Sequence, residues 1–294
     1  DATQMAALGA RVGDLSAGAL ASLTAAQVAA VAPANLAALT AAQLGALTAA
    51  GVDGLSSAQV TALGAKVGSL SALAVASLDA IQVDALSTAQ VTSLGAKVAN
   101  LSASALGSLD AAQVDGLTVA QVTALGANVS NLTPAAIGSL DAGQLGGVSV
   151  AYNGFLSNFS AAQLAAISPA ALAGVSVSQI TGIHNVHWPM QAATIAGLGT
   201  SITGLSSAAL AAIGGYDRNA SYNIVFTPAQ VTALGSRVGE LSTAAFANLG
   251  AAQVDSLTNA QVVALGAKVG SLSAAAAGSL SSAQVETLSA RQVD

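Results

Sequence analysis

The chain has no cysteine, so neither a disulfide nor a thiolate metal site can organise it. Charge is nearly as scarce: Asp, Glu, Lys and Arg make up 7% of 294 residues, against roughly 25% in an ordinary soluble domain. Seven basic residues face thirteen acidic ones, which leaves no basic stripe for phosphate contacts and argues against nucleic-acid binding. Mean hydropathy is +0.68. Yet Gln, Ser, Thr, Asp or Asn interrupts the apolar pattern every few residues, and no run approaches the roughly 20 residues of a spanning helix. Membrane insertion is therefore not expected. There is no glycine-rich phosphate loop, no glycine-framed serine and no close pair of glutamates, Glu240 and Glu286 being the only two. These absences argue against an enzyme, and no cofactor is expected.

What is present is a ruler of aliphatic residues. From Leu15 one recurs every eight positions, at Leu23, Val31, Leu39, Leu47 and Leu55. Beyond Leu55 the spacing becomes fifteen, eight and eight, a unit of 31 residues marked by Leu55, Leu86, Leu117 and Val148 and again by Phe226, Leu257 and Leu288. A fixed period of this size is the mark of a solenoid, whose units stack only on their neighbours.

Each octad carries a helix-start signal. In Leu23-Thr24-Ala25-Ala26-Gln27-Val28, Thr24 stands at the cap, Gln27 at the third helical position, and Leu23 and Val28 at the two ends of a hydrophobic staple. The pattern returns at Leu39–Leu44, Leu78–Val83, Leu109–Val114 and Phe159–Leu164. Because the next cap arrives eight residues on, each helix has about one and a half turns and must be held by its neighbours. The fifteen-residue unit, as in 55–69, places Val60, Leu63 and Val67 at helical spacing and is expected to form one helix of nearly three turns ending near Gly68. Gly64 and its counterparts Gly95, Gly126, Gly235 and Gly266 would mark a close crossing of another segment; a break in the helix is the alternative.

The expected fold is thus an all-α solenoid of short capped helices, built from octads and 31-residue coils. It divides into an N-terminal array at 1–147, irregular repeats with insertions at 148–225 and a C-terminal array at 226–294. Stacking turns the period into columns. Lys66, Lys97 and Asn128 form one, echoed by Arg237 and Lys268; Asp84 and Asp115 form another, echoed by Asp255 and Glu286. The carboxylates are expected to form a solvated face rather than a calcium site, and Lys97→Ala is expected to cost little. Asp79, Asp110 and Asp141 sit at caps, where a carboxylate accepts terminal backbone N–H groups.

The pattern breaks at 148–158 and 183–225. Nearly all the aromatics, both histidines and the one tryptophan fall in this central third. Asn185, Trp188, Tyr216, Asp217, Arg218 and Tyr222 are the candidate ligand-binding residues, suited to stacking on and hydrogen bonding to a surface carbohydrate or a peptide. His184 and His187 lack a third ligand, and no metal site is expected.

The Leu-Thr-Ala-Ala-Gln-Val/Leu strings at 23–55 and the units at 55–147 resemble degenerate repeats of very large secreted bacterial surface proteins of the RTX-adhesin type. That resemblance implies an extracellular or cell-surface location and a structural or adhesive role in attachment or biofilm. It brings no functional residue with it, and the acidic calcium-binding nonapeptides of such proteins are absent. Neither end carries a polar cap unit, so the expectation is self-association into fibres or continuation into neighbouring repeats of a longer chain.

Overall fold

The structure is a computed structural model that describes residues 1–148, 155–181, 192–213 and 226–288. Among these residues the chain is all-α: it is a succession of short helices with no strand. It forms two compact units, Asp1–Ser139 and Leu140–Asp294.

In the first unit every octad between 15 and 54 supplies one helix: Ala17–Ala21, Ala25–Ala29, Pro33–Ala38, Ala41–Gly45 and Ala49–Asp53. The cap logic holds in detail. Thr24 Oγ1 accepts from the Gln27 backbone N–H at 3.3 Å, and Gln27 Oε1 accepts from the Thr24 N–H at 2.9 Å. The same reciprocal pair closes the start of Ala80–Asp84 and Ala111–Asp115, where Asp79 and Asp110 supply the acceptor, so these aspartates are caps as expected. Val28, Leu44, Val83 and Val114, the inner ends of the staples, are buried.

The fifteen-residue unit departs from expectation. It is two elements, an α-helix Ser57–Ala62 followed by a 3-10 helix Gly64–Ser69, and Gly64 joins them at φ +56°. An L side chain is strained there, and glycine is the residue that adopts this conformation freely. Gly95, Gly126, Gly235 and Gly266 repeat the break with φ of 53–56°. A close crossing is not their role, because a Cβ on any of them would meet nothing within 4 Å. In two of these units a close approach comes four residues later: a Cβ on Gly68 would lie 2.1 Å from the Ser93 carbonyl, and one on Gly239 2.2 Å from that of Ala264, whereas Ala99 and Ser130 hold that position after Gly95 and Gly126. At Gly68 and Gly239 the absence of a side chain lets the neighbouring segment close on the 3-10 helix.

Helix Thr88–Ser93 lies on the 3-10 helix Gly64–Ser69, and helix Val119–Leu125 lies on Gly95–Asn100. The aligned leucines Leu70, Leu78, Leu101, Leu109 and Leu132 are all buried. Removing each from water contributes about 1.5–3 kcal/mol, which isolated helices of four to seven residues could not supply for themselves.

The second unit uses the same parts. Helix Asn259–Leu265 packs on the 3-10 helix Gly235–Glu240, and helix Pro228–Leu234 packs on Gly199–Gly204. That last element lies inside 183–225, where an irregular insertion was expected. Ala192–Gly197, the break at Gly199 (φ +52°), Gly199–Gly204 and Ser207–Ala212 make up another unit of the long type. Its run Leu198-Gly199-Thr200-Ser201-Ile202-Thr203-Gly204-Leu205 keeps the apolar spacing of 63–70 with Ser201 at the place of Lys66, which conceals the kinship. Phe159, Phe226 and Phe246 are buried at positions that aliphatics hold elsewhere. These aromatics fill the core.

Candidate functional site

Asn185, Trp188, Tyr216, Asp217, Arg218 and Tyr222 lie outside the described residues, as do His184 and His187. The polar chemistry of the described residues is concentrated instead in two columns between coils.

The first is a column of buried glutamines. The capping role occupies only the oxygen of each amide; the nitrogen reaches across to the coil before. Gln82 Nε2 donates to the carbonyls of Val52 at 3.1 Å and Leu55 at 2.6 Å, while its Oε1 accepts from Asp79 N–H at 2.8 Å. Gln113 does the same to Val83 and Leu86, and Gln59 to Ala29 and Val31. In the second unit Gln179 donates to Leu145 and Val148, Gln261 to Val231, and Gln284 to Val254 and Leu257. One amide therefore starts a helix and ties it to the coil before. No buried side-chain nitrogen or oxygen among the described residues lacks a partner. A glutamate would serve the cap equally well but has no N–H to donate and would carry a charge into the interior. Every described capping box uses Gln at this position, and that restriction to Gln was the readable signal of the second bond.

The second column is basic, and it bears on the expectation that Lys97→Ala costs little. Lys66 Nζ donates to the carbonyls of Ala37 at 2.8 Å and Leu39 at 3.1 Å. Lys97 Nζ donates to those of Gly68 and Leu70, and Lys268 to those of Gly239 and Leu241. Arg237 spreads its guanidinium over Thr203 and Leu205, both at 2.6 Å. Asn128, in the same column, reaches only the Ala99 carbonyl at 3.4 Å. The shared target is a carbonyl pair at the end of an earlier helix, the α-helix Pro33–Ala38 for Lys66 and a 3-10 helix for Lys97, Arg237 and Lys268, where a cation also meets the negative end of the helix. Lys97→Ala thus removes two charge-assisted bonds and is no longer a substitution of small cost.

Arg237 is further held by Glu240, with Nη2 and Oε2 2.9 Å apart, the one ion pair among the described residues. The Arg237 hydrogen bond holds the Glu240 carboxyl below its ordinary range, against a weaker opposing effect of burial. Asp84, Asp115, Asp255 and Glu286 lie on the exposed surface as expected. The described residues contain no group of three or more His, Asp or Glu placed to hold a metal ion. No described helix is long and apolar enough to cross a membrane.

No known family model matches this sequence, and no curated protein shows significant similarity to it.

Proposed function

We propose that the chain is a non-catalytic structural or adhesive repeat segment of a secreted or cell-surface protein, folded as a solenoid with a 31-residue coil. The observation that carries this reading is the register of the side-chain bonds. The glutamine amides named above reach back 27 to 34 residues, and lysines 27 or 29, in both units. A set of polar groups committed to joining one coil to the last makes each unit self-supporting. The resemblance to large bacterial surface repeats points the same way.

Display of the chain on a non-adherent bacterium tests the reading. Attachment to a solid surface or between cells should rise, and Trp188→Ala should leave that rise intact. Failure of display to change either would overturn it. The second reading, a carbohydrate- or peptide-binding module, rests on the aromatic cluster at Trp188, Tyr216 and Tyr222 with Asn185, Asp217 and Arg218. Specific signals on a glycan array that vanish in Trp188→Ala would favour it instead.

A further inference from the structure

Asn128 and Ser201 take the place of the basic residue in two coils, and the two coils are held differently. Beside Ser201, Gly204 is pressed onto the preceding chain: a Cβ there would collide with the Pro169 carbonyl. Asn131 stands at the matching place after Gly126, so that approach is not available to the coil of Asn128. Gly126-Ala127-Asn128-Val129 otherwise repeats Gly95-Ala96-Lys97-Val98, and the backbone matches, with Gly126 at φ +53° and Gly95 at +56°. Asn128 Nδ2 reaches the Ala99 carbonyl at 3.4 Å, the long limit of a hydrogen bond. Among the described residues no side chain donates to the Leu101 carbonyl. Ala99 and Leu101 stand where Gly68 and Leu70 stand one coil earlier, the pair that Lys97 holds. Asparagine is shorter than lysine and its amide is neutral, so the charge-assisted clamp is gone.

The rest of this joint is intact. Helix Val119–Leu125 lies on Gly95–Asn100, and Val122 and Leu125 are buried. Gln121 Nε2 donates to the carbonyls of Val91 at 3.1 Å and Thr92 at 3.2 Å, as Gln90 does to those of Val60 and Thr61 one coil earlier. Thr92 Oγ1 adds a bond to the Gly116 carbonyl at 2.9 Å. The two coils are therefore fastened on the side of Gln121 and lack a clamp on the side of Asn128.

We infer that the joint between the coils at 88–100 and 119–131 is a hinge. It opens on the side of Asn128, parting the helix Gly126–Asn131 from the Ala99 and Leu101 carbonyls, while Gln121 keeps the other side closed. A clamped joint must break two charge-assisted bonds to make this motion; here it breaks one long neutral bond, so opening is less costly and more frequent. Each coil keeps its own capping box and buried aliphatics as the joint opens, so the unit yields at this place without unfolding a coil. The hinge depends on the clamps holding elsewhere, and not on what the segment adheres to.

Hydrogen exchange read by mass spectrometry on the 294-residue chain tests this. Segments 64–70 and 95–101 are matching 3-10 helices, each overlaid by the helix that follows, so their protection factors can be compared. In the parent, protection at 95–101 should be lower by about tenfold or more, and Asn128→Lys should raise it to the level of 64–70. Lys97→Ala should lower protection at 64–70 by a similar factor. If Lys97→Ala does so, then equal protection of the two segments in the parent, or no gain at 95–101 in Asn128→Lys, would overturn the hinge alone. No change at 64–70 in Lys97→Ala would sink the clamp itself and the hinge with it.

Discussion

The heptapeptide Gly-Ala-Lys-Val-Gly-Ser-Leu occurs twice, at 64–70 and at 266–272, and folds the same way both times. Each copy is a 3-10 helix opened by a glycine at φ +56° and followed by an extended leucine. Their surroundings differ. Leu70 is 0% exposed and Leu272 is half-buried; Val67 is 0% exposed and Val269 7%. Gly68 is pressed against the Ser93 carbonyl, while a Cβ on Gly270 would meet nothing within 4 Å. Lys97 clamps the carbonyls of Gly68 and Leu70, and among the described residues no side chain clamps those of Gly270 and Leu272. Seven residues thus dictate the conformation of the corner and nothing about its stability. Stability comes from the coil that follows.

The largest effect should come from cutting the buried side of that comparison. Leu70→Ala is expected to lower unfolding free energy by roughly 2–5 kcal/mol, the cost of a cavity in a core that cannot collapse. Leu272→Ala, measured at low concentration, should cost about 1 kcal/mol or less. Equal losses in urea titrations would mean that neighbours do not set burial.

Next comes the amide column. Gln113→Glu keeps the cap but leaves the Val83 and Leu86 carbonyls without their donor and puts a carboxylate among buried atoms. A loss of about 3 kcal/mol is expected near neutral pH. Gln27→Glu has no such bond to lose and should be close to neutral, since an acid in the first turn suits the helix dipole. A neutral result for Gln113→Glu would show that the bridge to the preceding coil contributes little.

A smaller contrast tests close approach directly. Gly68→Ala must push the Ser93 carbonyl away and should cost about 1–3 kcal/mol, an overpacking penalty. Gly270→Ala has open space and a negative φ, so it should be neutral or stabilise by a few tenths of a kcal/mol through the unfolded chain. If both are tolerated in thermal melts, the coils are free to separate at Gly68.

Most of the local structure was legible because its signals are local. A cap residue, a glutamine three places on and an aliphatic on each side fall within six residues, and nearly every helix so marked is there. What was misread depends on partners about thirty residues away. The helix break at Gly64 and the crossing at Gly68 are both one glycine in the sequence; only the neighbouring coil distinguishes a need for positive φ from a need for space. Lys97 was expected to be replaceable at little cost because nothing within its own helix shows that two carbonyls lie in reach. The unit at 192–213 was hidden by Ser201 and Ile202 in the places of lysine and valine. The candidate ligand-binding residues, Trp188 and its companions, fall outside the described residues. For them the reasoning stays with residue types and their concentration in the sequence.

The smallest effect sharpens the comparison between two clamps. Arg237 and Lys268 hold equivalent carbonyl pairs, but only Arg237 has a carboxylate three residues on, because the place of Glu240 is taken by Ser271 in the next coil. Glu240→Ser makes the two coils alike. The pair is partly exposed, with side-chain exposures of 31% and 32%, so its removal should cost about 0.2–1 kcal/mol near pH 7. The pH dependence has a definite sign. The Arg237 hydrogen bond lowers the folded-state pKa of Glu240, so the unfolded chain binds its proton first as pH falls. The contribution is complete above the ordinary glutamate value of about 4.3 and is lost as pH falls through the lower folded value. Parent and variant should therefore differ in urea midpoint at pH 7 and converge on acidification. A difference that persists unchanged into acid would show that Glu240 acts through packing and not through its charge.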